Sequence, residues 1–244
     1  MGTSTSLGQQ ALSAALLCTA LAVGMTACGG GSTTAMSNPL SGLSAAQIAG
    51  KAIANLKTAS TVHVAGPVKD SGQTYVLNMS LVHGKGCQGT LAPQGKGSVL
   101  LVVIGKLTWI KPDSLFLKSY GGGEPAALSI LSGKYLKTTT NSAFGSGFNA
   151  FCDPSELAGG IGEHMGRLVK GTTTTISGHP ALRVRDPSGP DSMYVSISAQ
   201  PRILRLDGGR GANGGHVDFT AYDSPVQLAA PPVSETLDGA KYGF

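Results

Sequence analysis

Charge is scarce in this chain and unevenly placed: Asp, Glu, Lys and Arg make up 13% of 244 residues, and the first of them is Lys51. Aromatic residues are only 5%. The basic residues are too scattered to form a nucleic-acid footprint, so no nucleic-acid partner is expected. Beyond the N-terminal region no apolar run is long enough to span a bilayer. Catalytic signatures are missing as well: there is no Gly-x-Ser-x-Gly elbow, Ser-x-x-Lys, His-Glu-x-x-His, Walker loop, or Gly-x-Gly-x-x-Gly opening a helix. The histidines at 63, 83, 164, 179 and 216 are dispersed, with none at ligand spacing. No metal, cofactor or enzymatic activity is expected. Glu163-His164 reads as a solvated helix face, and the glycine-rich run from Gly208 to Gly215 as a long hairpin loop, because no helix pattern follows it.

What the chain does have begins with Ala11 to Val23, a 13-residue apolar core. It is too short to cross a ~30 Å hydrocarbon layer and fits a signal-peptide h-region, although no Lys or Arg precedes it. Met25-Thr26-Ala27-Cys28 follows and resembles the bacterial lipobox, whose cysteine is acylated and becomes the mature N-terminus. The alternative is an ordinary secretory signal in which Cys28 is incidental. The expected organisation is a signal peptide over 1–27, a flexible Gly/Ser/Thr tether over 28–43, one domain over 44–233 and a loose tail over 234–244. Localisation is then the extracytoplasmic face of the cell membrane, through a lipid anchor on Cys28. The mature net charge of +5 is compatible with an anionic surface.

Of four cysteines, Cys18 leaves with the signal and Cys28 takes the lipid. Cys87 and Cys152 remain, and outside the cytoplasm such a pair is expected to be a disulfide. Two buried free thiols are the alternative; neither cysteine has the spacing of a metal site.

Ser44-Ala45-Ala46-Gln47 fits a capping box, and Ile48, Ala52, Ile53 and Leu56 place a narrow apolar stripe on the helix it opens. From Thr61 the period becomes two. Strands are expected at Thr61–Ala65, Tyr75–Val82, Cys87–Leu91, Ser98–Ile104, Leu107–Ile110, Thr172–Ile176, Ala181–Asp186, Ser192–Ser198, Ile203–Leu206 and His216–Tyr222, separated by Gly, Pro, Asp or Asn turns. Gly66-Pro67 is expected to end the first. The unbroken run at Ser98–Ile104 predicts a strand covered on both faces. Helices are expected within Ser114–Leu131 and Asn149–Leu168. The second opens at Pro154-Ser155-Glu156 and is weakened by Gly159, Gly160, Gly162 and Gly166, at up to about 1 kcal/mol each relative to Ala. Alternation puts Tyr75, Leu77, Met79 and Leu81 on one face of their strand, and likewise Leu182 and Val184, Met193, Val195 and Ile197, and Val217 and Phe219 on one face of theirs.

The lipobox, the tether, the first helix running into Thr58-Ala59-Ser60-Thr61-Val62-His63-Val64-Ala65-Gly66, and a late block occur in one order. That block is Gly178-His179-Pro180-Ala181-Leu182, Met193-Tyr194-Val195, Pro201-Arg202-Ile203-Leu204-Arg205-Leu206, Val217-Asp218-Phe219-Thr220-Ala221-Tyr222 and Pro231-Pro232. Together they resemble the LppX/LprG-type actinobacterial lipoproteins, whose fold is similar to that of LolA and LolB. The resemblance implies an α+β fold, a curved antiparallel half-barrel whose concave face is covered by helices. It also implies an apolar cavity binding lipid acyl chains or a lipoglycan, lined here by the eleven alternating residues, and carriage of envelope lipids, with an envelope transporter as a partner. A monomer is expected. The alternative function is a ligand-free structural or regulatory partner of another envelope protein.

Overall fold

The computed structural model describes residues 38–70, 72–120, 129–142, 152–163, 166–208 and 215–242. The signal peptide, Cys18, the lipobox with Cys28, His164 and most of the Gly208–Gly215 loop lie outside the described residues.

Helix α1 (Ala45–Lys57) begins at a complete capping box: Ser44 Oγ accepts from Gln47 N at 3.2 Å and Gln47 Oε1 from Ser44 N at 2.8 Å. Its small stripe, Ile48, Ala49, Ala52 and Leu56, is fully buried. The chain then pleats into β1 (Thr61–Asp70), β2 (Gln73–Val82), β3 (Gly86–Pro93), β4 (Val99–Ile104) and β5 (Leu107–Pro112). Helix α2 (Ser114–Tyr120), β6 (Tyr135–Thr139) and α3 (Pro154–Glu163) follow. The meander is β7 (Val169–Ile176), β8 (His179–Arg185), β9 (Ser192–Ser196), β10 (Ile203–Gly208) and β11 (Gly215–Thr220), and β12 (Thr236–Asp238) comes last. All belong to one curved, open sheet in the order β12-β6-β5-β4-β3-β2-β1-β11-β10-β9-β8-β7. Pairing is antiparallel except between β12 and β6. The α+β half-barrel expected from the sequence is the architecture observed.

Several boundaries differ from expectation for physical reasons. β1 does not stop at Gly66-Pro67 but pairs with β2 as far as Asp70. Gly66 makes this possible: at φ +137° its missing Cβ would sit 2.2 Å from the His216 carbonyl oxygen. The stretch 135–139 is a strand that local pattern did not reveal, and within the region read as a loose tail Thr236–Asp238 pairs with it. Both depend on partners distant in sequence. Of the two helical pieces expected within Ser114–Leu131, separated by the Gly121-Gly122-Gly123 break, the first is α2, which ends at Tyr120 as expected. β4 is covered on one face only: Val99, Leu101 and Val103 are buried, whereas Leu100 is 44% exposed.

Two long-range ties hold the helices. Lys170 Nζ donates to the carbonyls of Leu40 (3.4 Å) and Ser41 (3.0 Å), fixing the chain where it enters α1, and Asn55 of α1 donates to the Pro201 carbonyl at 2.7 Å. Cys87 of β3 is bonded to Cys152, both buried, which places the start of α3 beside the β2–β3 turn. Asp153 strengthens this mooring by accepting from Gly84 N at 3.0 Å and Ser155 N at 2.7 Å.

Gly66→Ala is expected to lower the denaturant midpoint by the equivalent of at least about 1–3 kcal/mol. Gly50→Ala on α1, where a Cβ meets open space, should instead stabilise by about 0.5–1 kcal/mol. Cys152→Ser, which opens a 65-residue loop, should cost about 4 kcal/mol on the chain-entropy model. Hydrogen exchange checks where that loss begins, and faster exchange in α3 before the sheet is the expected result.

Candidate functional site

The pleat sends alternate side chains to one side, and the registers join those sides across strands. Val64 lies opposite both Met79 and Phe219, Leu77 opposite Leu91, Leu182 opposite Val195 and Val184 opposite Met193. The result is one apolar face running from β5 through β1 to β8. All eleven residues singled out by alternation lie in this cluster. Leu77, Met79, Leu81, Leu182, Val184, Met193, Val195 and Phe219 are buried in it, and Tyr75, Ile197 and Val217 pack against it half-buried.

Local reading did not single out the remainder of that face. Val99, Leu101 and Val103 of β4 and Ile110 of β5 belong to it. Their alternation was hidden because Leu100, Val102 and Ile104 on the other face are apolar too. Leu40, ahead of the capping box, and Leu157, Ala158 and Ile161 of α3 also enter the cluster.

The cover is unequal. α1 lies over β7 to β10 and against α3, so the β1–β5 part of the face extends beyond it. α3 carries Gly159, Gly160 and Gly162, and a Cβ at any of the three would meet no atom within 4 Å. These glycines weaken the helix without being required by packing.

The opposite side of the sheet carries paired polar groups as well as the exposed Val76 and Leu100. Arg205 donates to both Asp218 carboxylate oxygens, at 2.6 and 3.0 Å, and this hydrogen bonding raises the guanidinium pKa further. His63 Nδ1 lies 3.1 Å from Ser80 Oγ. At the strand ends near the C-terminus of α1 there is a half-open cleft of about 650 Å3, bordered by Ile176, Ser196, Arg202, Leu204, Thr220 and Tyr222. Arg202 is engaged there with Asp223 at 2.6 Å and with the Tyr222 ring. Tyr222 is half-buried, and the desolvation raises its hydroxyl pKa; it donates to the Ile203 carbonyl at 2.9 Å. Phe219 alone of the eleven borders this cleft. Among the described residues no group of three His, Cys, Asp or Glu is arranged to hold a metal, and no helix is long and apolar enough to cross a membrane. The arrangement offers an apolar face and paired polar groups, and its chemistry is that of burial.

No family model matches the chain, and no curated protein does. Among solved structures, LprF from Mycobacterium bovis superposes with a TM-score of 0.51 at 14% identity, covering 77% of this chain and 96% of that one. The Mycobacterium tuberculosis lipoprotein LppX gives a TM-score of 0.47 at 14% identity, over 75% of this chain and 96% of that one. The open, helix-covered sheet of this chain is therefore similar in fold to LprF, the architecture that its resemblance to LppX/LprG-type lipoproteins implied.

Proposed function

We propose that this chain is a lipid-anchored extracytoplasmic protein that holds acyl chains of envelope lipids against the apolar face of its sheet, and so carries or presents them. The observation that carries this reading is the mismatch between the face and its rigid cover. α1 packs chiefly over β7–β10, while beyond it stands α3, tied at its start by the Cys87–Cys152 bond and weakened by Gly159, Gly160 and Gly162, whose Cβ positions face open space. A helix moored at one end and weak along its length opens at a lower free energy than the sheet beneath it. An acyl chain entering there exchanges helix contacts for its own, at about 0.8 kcal/mol per CH2 buried. The lipobox-like Met25-Thr26-Ala27-Cys28 supports the anchor, and the likeness in fold to LprF supports the same reading at the level of architecture.

Protein purified from membranes is expected to release bound lipid in native mass spectrometry. Leu77→Trp, on β2 beyond the strands under α1, should lose that lipid while melting near the parent temperature, because the ring takes the space the chain used. Val195→Trp, at 0% exposure on β9, should overpack and cost about 1–3 kcal/mol. A Leu77→Trp protein that melts lower, from a parent that never held lipid, would favour the ligand-free partner instead. Cys28→Ala is expected to shift the protein out of the acylated membrane fraction, since stable anchoring needs more than one acyl chain; membrane fractionation checks it.

A further inference from the structure

We propose that the rim of the sheet where the chain enters the domain, with α2 foremost, docks onto an anionic bilayer surface. This rests on the anchored reading above and adds an orientation to it. The registers carry one rung from Lys170, which binds the entry segment, through Met193 and Val217 to Leu77, Val99 and Pro112, where α2 begins. Chain entry, α2 and the start of β6 therefore share one rim. Cys28 stands ten residues before Asn38, the first described residue. Even fully extended, that link spans about 36 Å, so an acylated Cys28 keeps this rim near the bilayer.

The side chains there suit such a surface. Leu115 is 50%, Tyr120 49%, Ile130 44% and Val233 90% exposed, a concentration of apolar surface that a soluble face seldom carries without a partner. The Tyr120 ring stacks on Phe116 at 4.6 Å and lies under Lys96 at 5.3 Å, an apolar body beside a cation as interfacial tyrosines present it. Lys118 is exposed on the same helix, and Lys134 donates to the Ser234 carbonyl nearby.

The carboxylates beside α2 are occupied, while Asp186, Asp191 and Asp207 stand at the entry end of the rim. Asp113 accepts from Ser98 N and Oγ and from Phe116 N; burial raises its pKa, but these bonds outweigh it and hold the carboxyl below its ordinary value. Glu235 pairs with Lys111. Charge by itself does not choose this rim, because Lys85 and Lys106 stand at the opposite one. The apolar groups choose it: of the exposed large apolar side chains among the described residues, Leu107 is the one at the opposite rim. Leucine and tyrosine at the headgroup boundary, ringed by lysines facing anionic lipid, are the two attractions that hold a protein flat on a membrane.

The test uses the anchored full-length product reconstituted into vesicles of brominated phosphatidylcholine, with or without phosphatidylglycerol. Leu115→Trp reports on the proposed contact and Lys106→Trp on the opposite rim, with buried Trp109 as a constant background; Ile130→Trp is an independent second reporter. Quenching several-fold stronger at 115 and 130 than at 106, and weakened by Lys118→Gln only when phosphatidylglycerol is present, is the expected result. Equal quenching at both rims, or none at either in protein that floats with the vesicles, overturns the docking alone. Protein that does not float overturns the anchored reading and the docking with it.

Discussion

A pleated sheet with one apolar face must have that face covered, and this requirement organises the rest of the molecule. Apolar side chains gain on the order of 25 cal/mol per Å2 removed from water, whereas the polar face gains nothing by leaving it. The alternation in β1 to β5 and β8 to β11 therefore imposes curvature around whatever supplies the cover. α1 supplies part of it with Ala49 and Ala52, side chains small enough for a helix axis to lie close to the strands.

The way the cover is fastened links packing to function. α1 is fixed through its capping box, Lys170 at its entry and Asn55 near its exit. α3 is tied at its start by a buried disulfide and by Asp153, and packs Leu157, Ala158 and Ile161 against the cluster. The two helices are thus fastened differently, and the proposed entry of an acyl chain rests on that difference. On the other side of the sheet, Arg205–Asp218 and His63–Ser80 keep polar groups paired with one another, which sets that face apart from the apolar one.

The sequence by itself determined the first helix, the pleat period and which side of most strands is apolar, because a cap, a turn glycine and a two-residue alternation act within a few residues. It also pointed to Cys87 and Cys152 as a disulfide pair, with two free thiols as the alternative, and the structure bonds them. Tertiary structure alone decided the rest. β1 passes through Gly66-Pro67 because β2 pairs along its whole length and Gly66 admits the His216 carbonyl. β6 and β12 become strands because each meets a partner, Trp109 opposite Lys137 and Leu237 opposite Leu136, from elsewhere in the chain. β4 has one buried face, with Leu100 on the other 44% exposed, a difference that an all-apolar run does not reveal. The bringing together of eleven residues from β2, β8, β9, the turn after β9, and β11 on one face likewise depended on strand order. Strand order is set by pairing over a hundred residues and more, a distance at which alternation carries no information.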